Sequence, residues 1–134
     1  MDGVILSPLR KITHPKGDVL HAMKASDEGF SGFGEAYFST VNKLDIKGWK
    51  KHNKMTLNLI VVTGTIEIVV YNGVDFFNTK LSKDNYQRLT IEPGLWTAFK
   101  GLSDKNILLN LANIEHNPSE SNHVELDAFK YNWK

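Results

Sequence analysis

The sequence predicts an all-β protein, built as a sandwich or barrel, and three observations support this class. Segments rich in β-branched and aromatic residues recur at short intervals. Turn residues separate them, among them Asn72-Gly73 and the Pro-Gly pair at 93–94. No stretch sustains the three- and four-residue apolar spacing of an amphipathic helix. A chain of 134 residues fits one domain, so residues 1–134 are expected to form a single unit.

The predicted elements follow one another along the chain with few interruptions. Residues 32–52 indicate strands, because aromatic and β-branched residues are mixed there at short range. Residues 55–77 predict a hairpin that turns at Thr63-Gly64, followed by a second turn at Asn72-Gly73. Further strands are expected in residues 85–99 and 105–114, and only residues 82–87 and the tail 121–134 could hold a short helix.

Composition excludes several classes of function. Hydrophobic residues make up 41% of the chain, charged residues 23%, and the formal charge is +1. This balance lacks the basic bias that nucleic-acid or anionic-membrane binding requires, but it leaves phosphate-bearing small molecules open. The absence of cysteine excludes disulfides, thiolate nucleophiles and cysteine-bound zinc. No window approaches the roughly 18 apolar residues of a membrane span, so we expect a cytoplasmic protein.

The stretch "KGWKKH", residues 47–52, raises a choice between a reactive site and an ordinary strand end. Lys50 and His52 are two apart, so on a strand they share one face with Gly48, while Trp49 and Lys51 face the other way. Inside a barrel, Lys50 and His52 would lie in a partly desolvated pocket that favours their neutral forms. The alternative is a solvated, charged lead-in to a buried strand.

The glycine-centred turn and the later Pro-Gly turn resemble the cupin jelly roll, a double-stranded β-helix barrel. Metal-binding cupins use two histidines two apart, a glutamate a few residues on, and a third histidine after the Pro-Gly turn. Here Lys50 stands at the first position, only His52 remains, and the neighbourhood of Asn58 offers no carboxylate. We therefore expect no metal and no cofactor.

Two segments carry a more specific resemblance, "KGWKKH" and "LSKDNYQRLTIEPG". Together with "LLNLANIEHNP" they resemble the nucleotide-sugar 3,5-epimerases and 3,4-ketoisomerases of the metal-free cupin group, over roughly residues 30–120. Lys47 and Gly48 match the basic residue and glycine of that family's histidine strand. Lys50 replaces the first, catalytic histidine, and His52 matches the second histidine of the ketoisomerases.

The resemblance implies roles for individual residues. His52 is the expected base, with Lys50 as a second base or as the cation that stabilises an enolate. Asn110 falls where the epimerases place a tyrosine acid, and Thr97 replaces a histidine that often follows the Pro-Gly turn. The residues expected to bind substrate are Lys47, Tyr37, Arg88, Trp96 and Asn110.

Alternatives remain for several of these residues. Trp96 is either a wall that stacks on a sugar or base ring or a core aromatic, and Tyr37 is either a proton donor or a buried tyrosine. Arg88 either contacts phosphate or faces solvent. Four further histidines are expected in exposed loops without a catalytic role, namely His14, His21, His116 and His123.

The resemblance also implies a function and an assembly. It indicates an isomerase or epimerase that acts on a nucleotide-linked keto-deoxysugar by proton transfer, in the synthesis of a bacterial surface polysaccharide. It further implies a homodimer. The replaced catalytic positions keep a second class open, a non-catalytic cupin that binds a sugar or a nucleotide sugar.

Overall fold

The computed structural model describes residues 1–134 and is built almost entirely of β-strands. The two helical segments are single 3-10 turns, and neither has the length or apolar character to cross a membrane. The strands are β1 (Val4–Pro8), β2 (Lys11–Ile12), β3 (Val19–Leu20), β4 (Glu35–Thr40), β5 (Ile46–His52), β6 (Leu57–Thr63), β7 (Thr65–Tyr71), β8 (Phe76–Ser82), β9 (Gln87–Ile91), β10 (Trp96–Gly101), β11 (Ile107–Ala112) and β12 (Ser121–His123), and the 3-10 turns are Pro118–Glu120 and Leu126–Ala128.

Ten of the strands form two five-stranded sheets. The first has the order β1-β9-β6-β11-β4, the second the order β12-β5-β10-β7-β8, and β2 pairs with β3 in a separate hairpin. All the strand pairs are antiparallel. This arrangement confirms the predicted all-β fold of cupin-like jelly-roll type.

The main hydrophobic core contains residues from both sheets, and strand alternation decides which residues enter it. On β7, Ile66, Ile68 and Val70 belong to this core, whereas Val69 belongs to a second cluster. The period of two along a strand explains the division, because successive side chains project to opposite faces. Each sheet therefore has a core face and an outer face.

The prediction of a hairpin at Thr63-Gly64 is wrong. Strand β6 pairs with β9 and β11, while β7 pairs with β8 and β10, so the chain changes sheets at this point. Gly64 has a positive φ of 77°, and a Cβ there would collide with the carbonyl oxygen of Lys105. The hairpin of this region is β7-β8, turning at Asn72-Gly73, where the Asn72 side chain accepts hydrogen bonds from the backbone amides of Val74 and Asp75.

The C-terminal segment packs on the outer face of the second sheet. Trp49, fully buried, donates from Nε1 to the carbonyl oxygen of Leu126 over 3.1 Å and packs edge-on against Phe129. The Tyr131 hydroxyl lies 3.1 Å from the carboxylate of Glu67. These contacts anchor the tail, which contains one 3-10 turn, and residues 82–87 form no helix. The anchored tail and β12 keep residues 118–123 beside β5.

Candidate functional site

A cavity of about 210 Å³ opens between the core faces of the two sheets. Apolar side chains form part of its lining, among them Leu57, Leu59 and Leu108. The remaining lining is polar and comes mainly from β4, β5, β10, β11 and β12. An apolar enclosure with a few converging polar groups is the usual character of a small-molecule site.

Strand β5 supplies the cavity's basic side chains. Gly48, Lys50 and His52 all line it, in agreement with strand alternation, whereas Trp49 belongs to the cluster on the outer face. A β-bulge lies just before Lys50, because Gly48 and Trp49 of β5 both face the single Ala98 of β10. A Cβ on Gly48 would collide with the Ala98 side chain, so the bulge requires glycine there. The bulge shifts the alternation and lets Lys47 line the cavity as well.

His52 is held by a buried carboxylate. Its Nδ1 lies 2.7 Å from Oε1 of Glu120, and the two residues are only 8% and 5% exposed. The other carboxylate oxygen of Glu120 accepts from the backbone amide of Asn53 over 3.2 Å. Because an ionised carboxylate only accepts hydrogen bonds, Nδ1 carries the proton and Nε2 has no partner within the protein. This tautomer leaves a basic nitrogen available to a ligand.

The electrostatics of the site favour neutral His52. Burial lowers the pKa of His52 below 6.5, and the hydrogen bond and negative charge of Glu120 oppose that effect without cancelling it. The nearby charges of Lys50 and His116 lower the pKa of His52 further. A neutral imidazole at pH 7 is able to accept a proton from a ligand.

This pKa shift predicts how stability depends on pH. Because the folded pKa of His52 is below the unfolded value of 6.5, the unfolded chain binds the proton first as pH falls. The contribution of neutral His52 to the free energy of unfolding is therefore fully present above pH 6.5. It is lost as the pH falls from 6.5 toward the pKa of His52 in the folded protein. We expect urea unfolding between about pH 7.5 and about pH 5 to show a steeper loss of stability for the native protein than for His52→Asn. Parallel pH profiles for the two proteins would contradict the shift.

Tyr37 and Asn110 form a second polar pair in the cavity. The Asn110 side-chain amide donates to the Tyr37 hydroxyl over 2.9 Å, and its oxygen accepts from the backbone amide of Asn58 over 3.1 Å. Burial raises the pKa of Tyr37, while the Asn110 hydrogen bond acts in the opposite direction. The phenol therefore stays protonated and presents a hydrogen-bonding group rather than a base.

Two of the predicted site residues lie away from the cavity. Arg88 is 2% exposed and donates to the backbone carbonyls of Ala22 and Glu28 over 2.8 and 3.1 Å, so it fastens that segment to the first sheet. The sequence left open that Arg88 faces solvent, and the structure shows that it does not. Trp96 packs against Phe129 and lies beneath the ammonium of Lys51 on the outer face. Of the five residues that we predicted to bind substrate, Lys47, Tyr37 and Asn110 line the cavity, whereas Arg88 and Trp96 do not.

Sequence reasoning missed Glu120 and gave no role to His123. Glu120 ends the 3-10 turn Pro118–Glu120, in a segment that the sequence indicated only as loop. His123 lines the cavity from β12, where it pairs with Lys50. Neither position carries a pattern that would place it beside β5. No group of three or more His, Cys, Asp or Glu side chains in the structure is arranged to hold a metal ion.

The barrel and the His52-Glu120 pair at its cavity define a cupin-like protein equipped for acid–base chemistry on a bound small molecule. Residues 2–130 match the family model described as "FdtA: WxcM-like, C-terminal". The chain belongs to this family, which confirms the resemblance inferred from the sequence. No match was found among curated protein sequences.

Solved structures give the same result. A dTDP sugar isomerase from Desulfovibrio desulfuricans G20 is 35% identical, with a TM-score of 0.90 over 95% of this chain and 87% of its own. The 3,4-ketoisomerase QdtA from Thermoanaerobacterium thermosaccharolyticum, solved with TDP-4-keto-6-deoxyglucose, is 22% identical, with a TM-score of 0.80 over 90% and 87% of the two chains. A dTDP-6-deoxy-D-glucose-3,5-epimerase from Legionella pneumophila is 16% identical, with a TM-score of 0.84 over 94% and 74%. The last two similarities concern the fold.

Proposed function

We propose that this protein is an isomerase or epimerase of a nucleotide-linked keto-deoxysugar, and that it works by proton transfer. The observation that carries the proposal is the neutral His52, oriented by Glu120 and with Nε2 free at the cavity. The named activities of the isomerase and ketoisomerase neighbours, which act on sugars of this class, support the choice of substrate.

The proposed reaction begins at the carbon next to the ketone. Nε2 of His52 removes the proton from this carbon, and the electron pair of the C–H bond moves onto the carbonyl oxygen to form an enolate. Lys50, on the same face of β5, places its ammonium where the oxygen becomes negative. Return of a proton to a ring carbon, with relocation or reformation of the ketone, then gives the isomer or epimer.

The charges around the cavity suit an anionic ligand. Lys47, Lys50 and His123 line it together with His52, and no Asp or Glu side chain is part of the lining. The cavity volume of about 210 Å³ is below the roughly 300–1,000 Å³ of pockets that enclose drug-sized ligands. A sugar ring fits this space, with the diphosphate and nucleoside extending past the basic rim.

A thermal-shift panel tests the substrate class, because a ligand that binds the native state raises the melting temperature. The probes are TDP, TDP-4-keto-6-deoxyglucose, free glucose and inorganic phosphate, each with and without a chelator. We expect the keto-sugar nucleotide to give the largest increase, TDP a smaller one, and the chelator to change neither. No response to either nucleotide, or a response that the chelator abolishes, would contradict the proposal.

We further propose a cytoplasmic homodimer that serves the synthesis of a bacterial surface polysaccharide. Strand β4 is an edge of the first sheet, and its Phe38 is 68% exposed. An exposed apolar sheet edge is an aggregation hazard that a second subunit would cover. Sedimentation velocity at micromolar protein is expected to give a dimer, and a stable monomer would contradict the assembly.

A further inference from the structure

Trp49 stands on β5 between two residues that line the cavity, Gly48 and Lys50, but it belongs to the cluster on the opposite face of the sheet. It is fully buried, although it lies outside the main core. The partly buried side chains packed against its cluster come mainly from the C-terminal tail, namely Val124, Leu126, Phe129, Tyr131 and Trp133. The tail therefore packs around Trp49, on the side of the sheet away from the cavity.

Hydrogen bonds attach the tail to both the backbone and the side chain of Trp49. The backbone amide of Trp49 donates to the carbonyl oxygen of Val124, and the amide of Val124 donates to the carbonyl oxygen of Trp49, each over 3.1 Å. The indole Nε1 of Trp49 donates to the carbonyl oxygen of Leu126, also over 3.1 Å. Trp49 thus holds the chain immediately after β12 by strand pairing and through its ring.

Strand β12 connects this anchor to Glu120 and has little else to hold it. It is the edge strand of its sheet, and two of its three residues, Asn122 and His123, are exposed. Such a strand buries little apolar surface, so its position depends on what fixes its two ends. At the end near Glu120, the backbone amide of Asn53 donates to the Glu120 carbonyl oxygen over 2.8 Å. At the other end, the anchor is Trp49.

We propose that Trp49 is a positioning residue for His52: from the outer face it keeps the carboxylate of Glu120 against Nδ1 of His52, and so keeps Nε2 free for the ligand. This inference rests on the proposed function and adds a residue outside the cavity that controls the base inside it. Trp49 itself does not line the cavity. Without the anchor, Glu120 loses its fixed position, and the imidazole proton is no longer confined to Nδ1.

The tautomer of His52 reports this contact without any turnover. NMR of the imidazole nitrogens in ¹⁵N-labelled protein distinguishes the two tautomers at about pH 7.5, where His52 is neutral. The signals of His52 are assigned by their loss in His52→Asn. We expect the native protein to carry the proton on Nδ1. Trp49→Phe keeps an aromatic ring but removes the donor to Leu126, and it should increase the share of the form protonated on Nε2.

Tyr71→Phe is the matched control. Tyr71 belongs to the same aromatic surroundings, and its ring lies 4.6 Å from that of Phe129. Its hydroxyl donates to the carbonyl oxygen of Gly73 over 2.9 Å, within its own hairpin turn and not to the tail. Tyr71→Phe therefore also removes one side-chain donor to a backbone carbonyl, and it should change neither the tautomer of His52 nor turnover.

Turnover tests whether Trp49 acts through Glu120. Trp49→Phe should lower kcat with TDP-4-keto-6-deoxyglucose by about tenfold, because a small displacement of a catalytic group is costly. The Kd for TDP should stay within about twofold, since the cavity lining is unchanged. In a Glu120→Gln background, Trp49→Phe should lower kcat by less than about a further twofold, because the contact that it supports is already lost. Equal losses in the two backgrounds would contradict a role through Glu120.

A native tautomer in Trp49→Phe would overturn the inference and leave the proposed function in place. A native protein that neither exchanges nor converts the sugar would contradict the proposed function, and the tautomer would still decide whether Trp49 holds Glu120 against His52. If Trp49→Phe does not fold, Phe129→Leu loosens the tail without altering β5, because the Phe129 ring packs edge-on against Trp49 at 5.5 Å. It should change the tautomer in the same direction, and a native tautomer there would equally overturn the inference.

Discussion

Replacing His52 with asparagine is expected to lower the rate of sugar isomerisation by about 10²–10⁴-fold, the usual loss when a positioned proton-transfer group is removed. Asparagine retains a polar side chain that can hydrogen-bond to Glu120, but it offers no basic nitrogen to the cavity. The effect should therefore fall on turnover, with little change in folding at pH 7. Steady-state kinetics with TDP-4-keto-6-deoxyglucose, together with a melting curve, measures both quantities.

Neighbouring lysines supply the matched controls. Lys50→Met should weaken turnover at least about tenfold, because the cation that stabilises the enolate is lost. Lys51→Met should do little, since its ammonium lies 5.1 Å from the centre of the Trp96 ring on the outer face. A double substitution of Lys50 and His52 that retained full activity would contradict the account. It would show that these residues are only the charged lead-in to a buried strand.

Replacing Glu120 with glutamine is expected to lower turnover by about 10²-fold or more, although Glu120 does not line the cavity. The carboxylate fixes the proton of His52 on Nδ1. A glutamine amide is able to donate to Nδ1 instead, which would move the imidazole proton to Nε2 and remove the free base. Glu120 is thus a positioning residue that acts through His52.

The pH profile distinguishes this role from a purely structural one. Glu120 raises the pKa of His52, so its loss should lower that pKa further and move the acidic limb of the rate profile to lower pH. Glu115→Gln removes the charge of an exposed carboxylate nearby in the sequence and should leave the profile unchanged. A Glu120→Gln protein with native turnover and a native profile would show that the hydrogen bond does not orient the base.

Strand alternation was enough to predict much of the site. The period of two placed Lys50 and His52 on one face, away from Trp49, and it required no knowledge of the partner strands. Strand alternation could also have predicted the position of Trp96. Since Thr97 was matched to a cavity-facing position of the family, its neighbour Trp96 had to face outward, as the structure shows.

Other features depend on contacts that no local pattern encodes. Glu120 meets His52 across 68 positions of sequence, and its segment has only loop character when considered alone. The change of sheet at Gly64 depends on which strands β6 and β7 pair with, whereas the sequence around it is equally compatible with a hairpin. The burial of Arg88 likewise depends on the carbonyl oxygens of Ala22 and Glu28, which lie 66 and 60 positions earlier in the sequence.

Deuterium exchange tests the central claim of proton transfer most directly. The native protein is mixed with TDP-4-keto-6-deoxyglucose in deuterated buffer, and NMR follows the ring proton next to the ketone. The account predicts that this proton is replaced by deuterium with the native protein and is retained with His52→Asn. Tight binding of the sugar nucleotide by the native protein, with neither exchange nor formation of an isomer or epimer, would contradict the account and would identify a non-catalytic binding cupin.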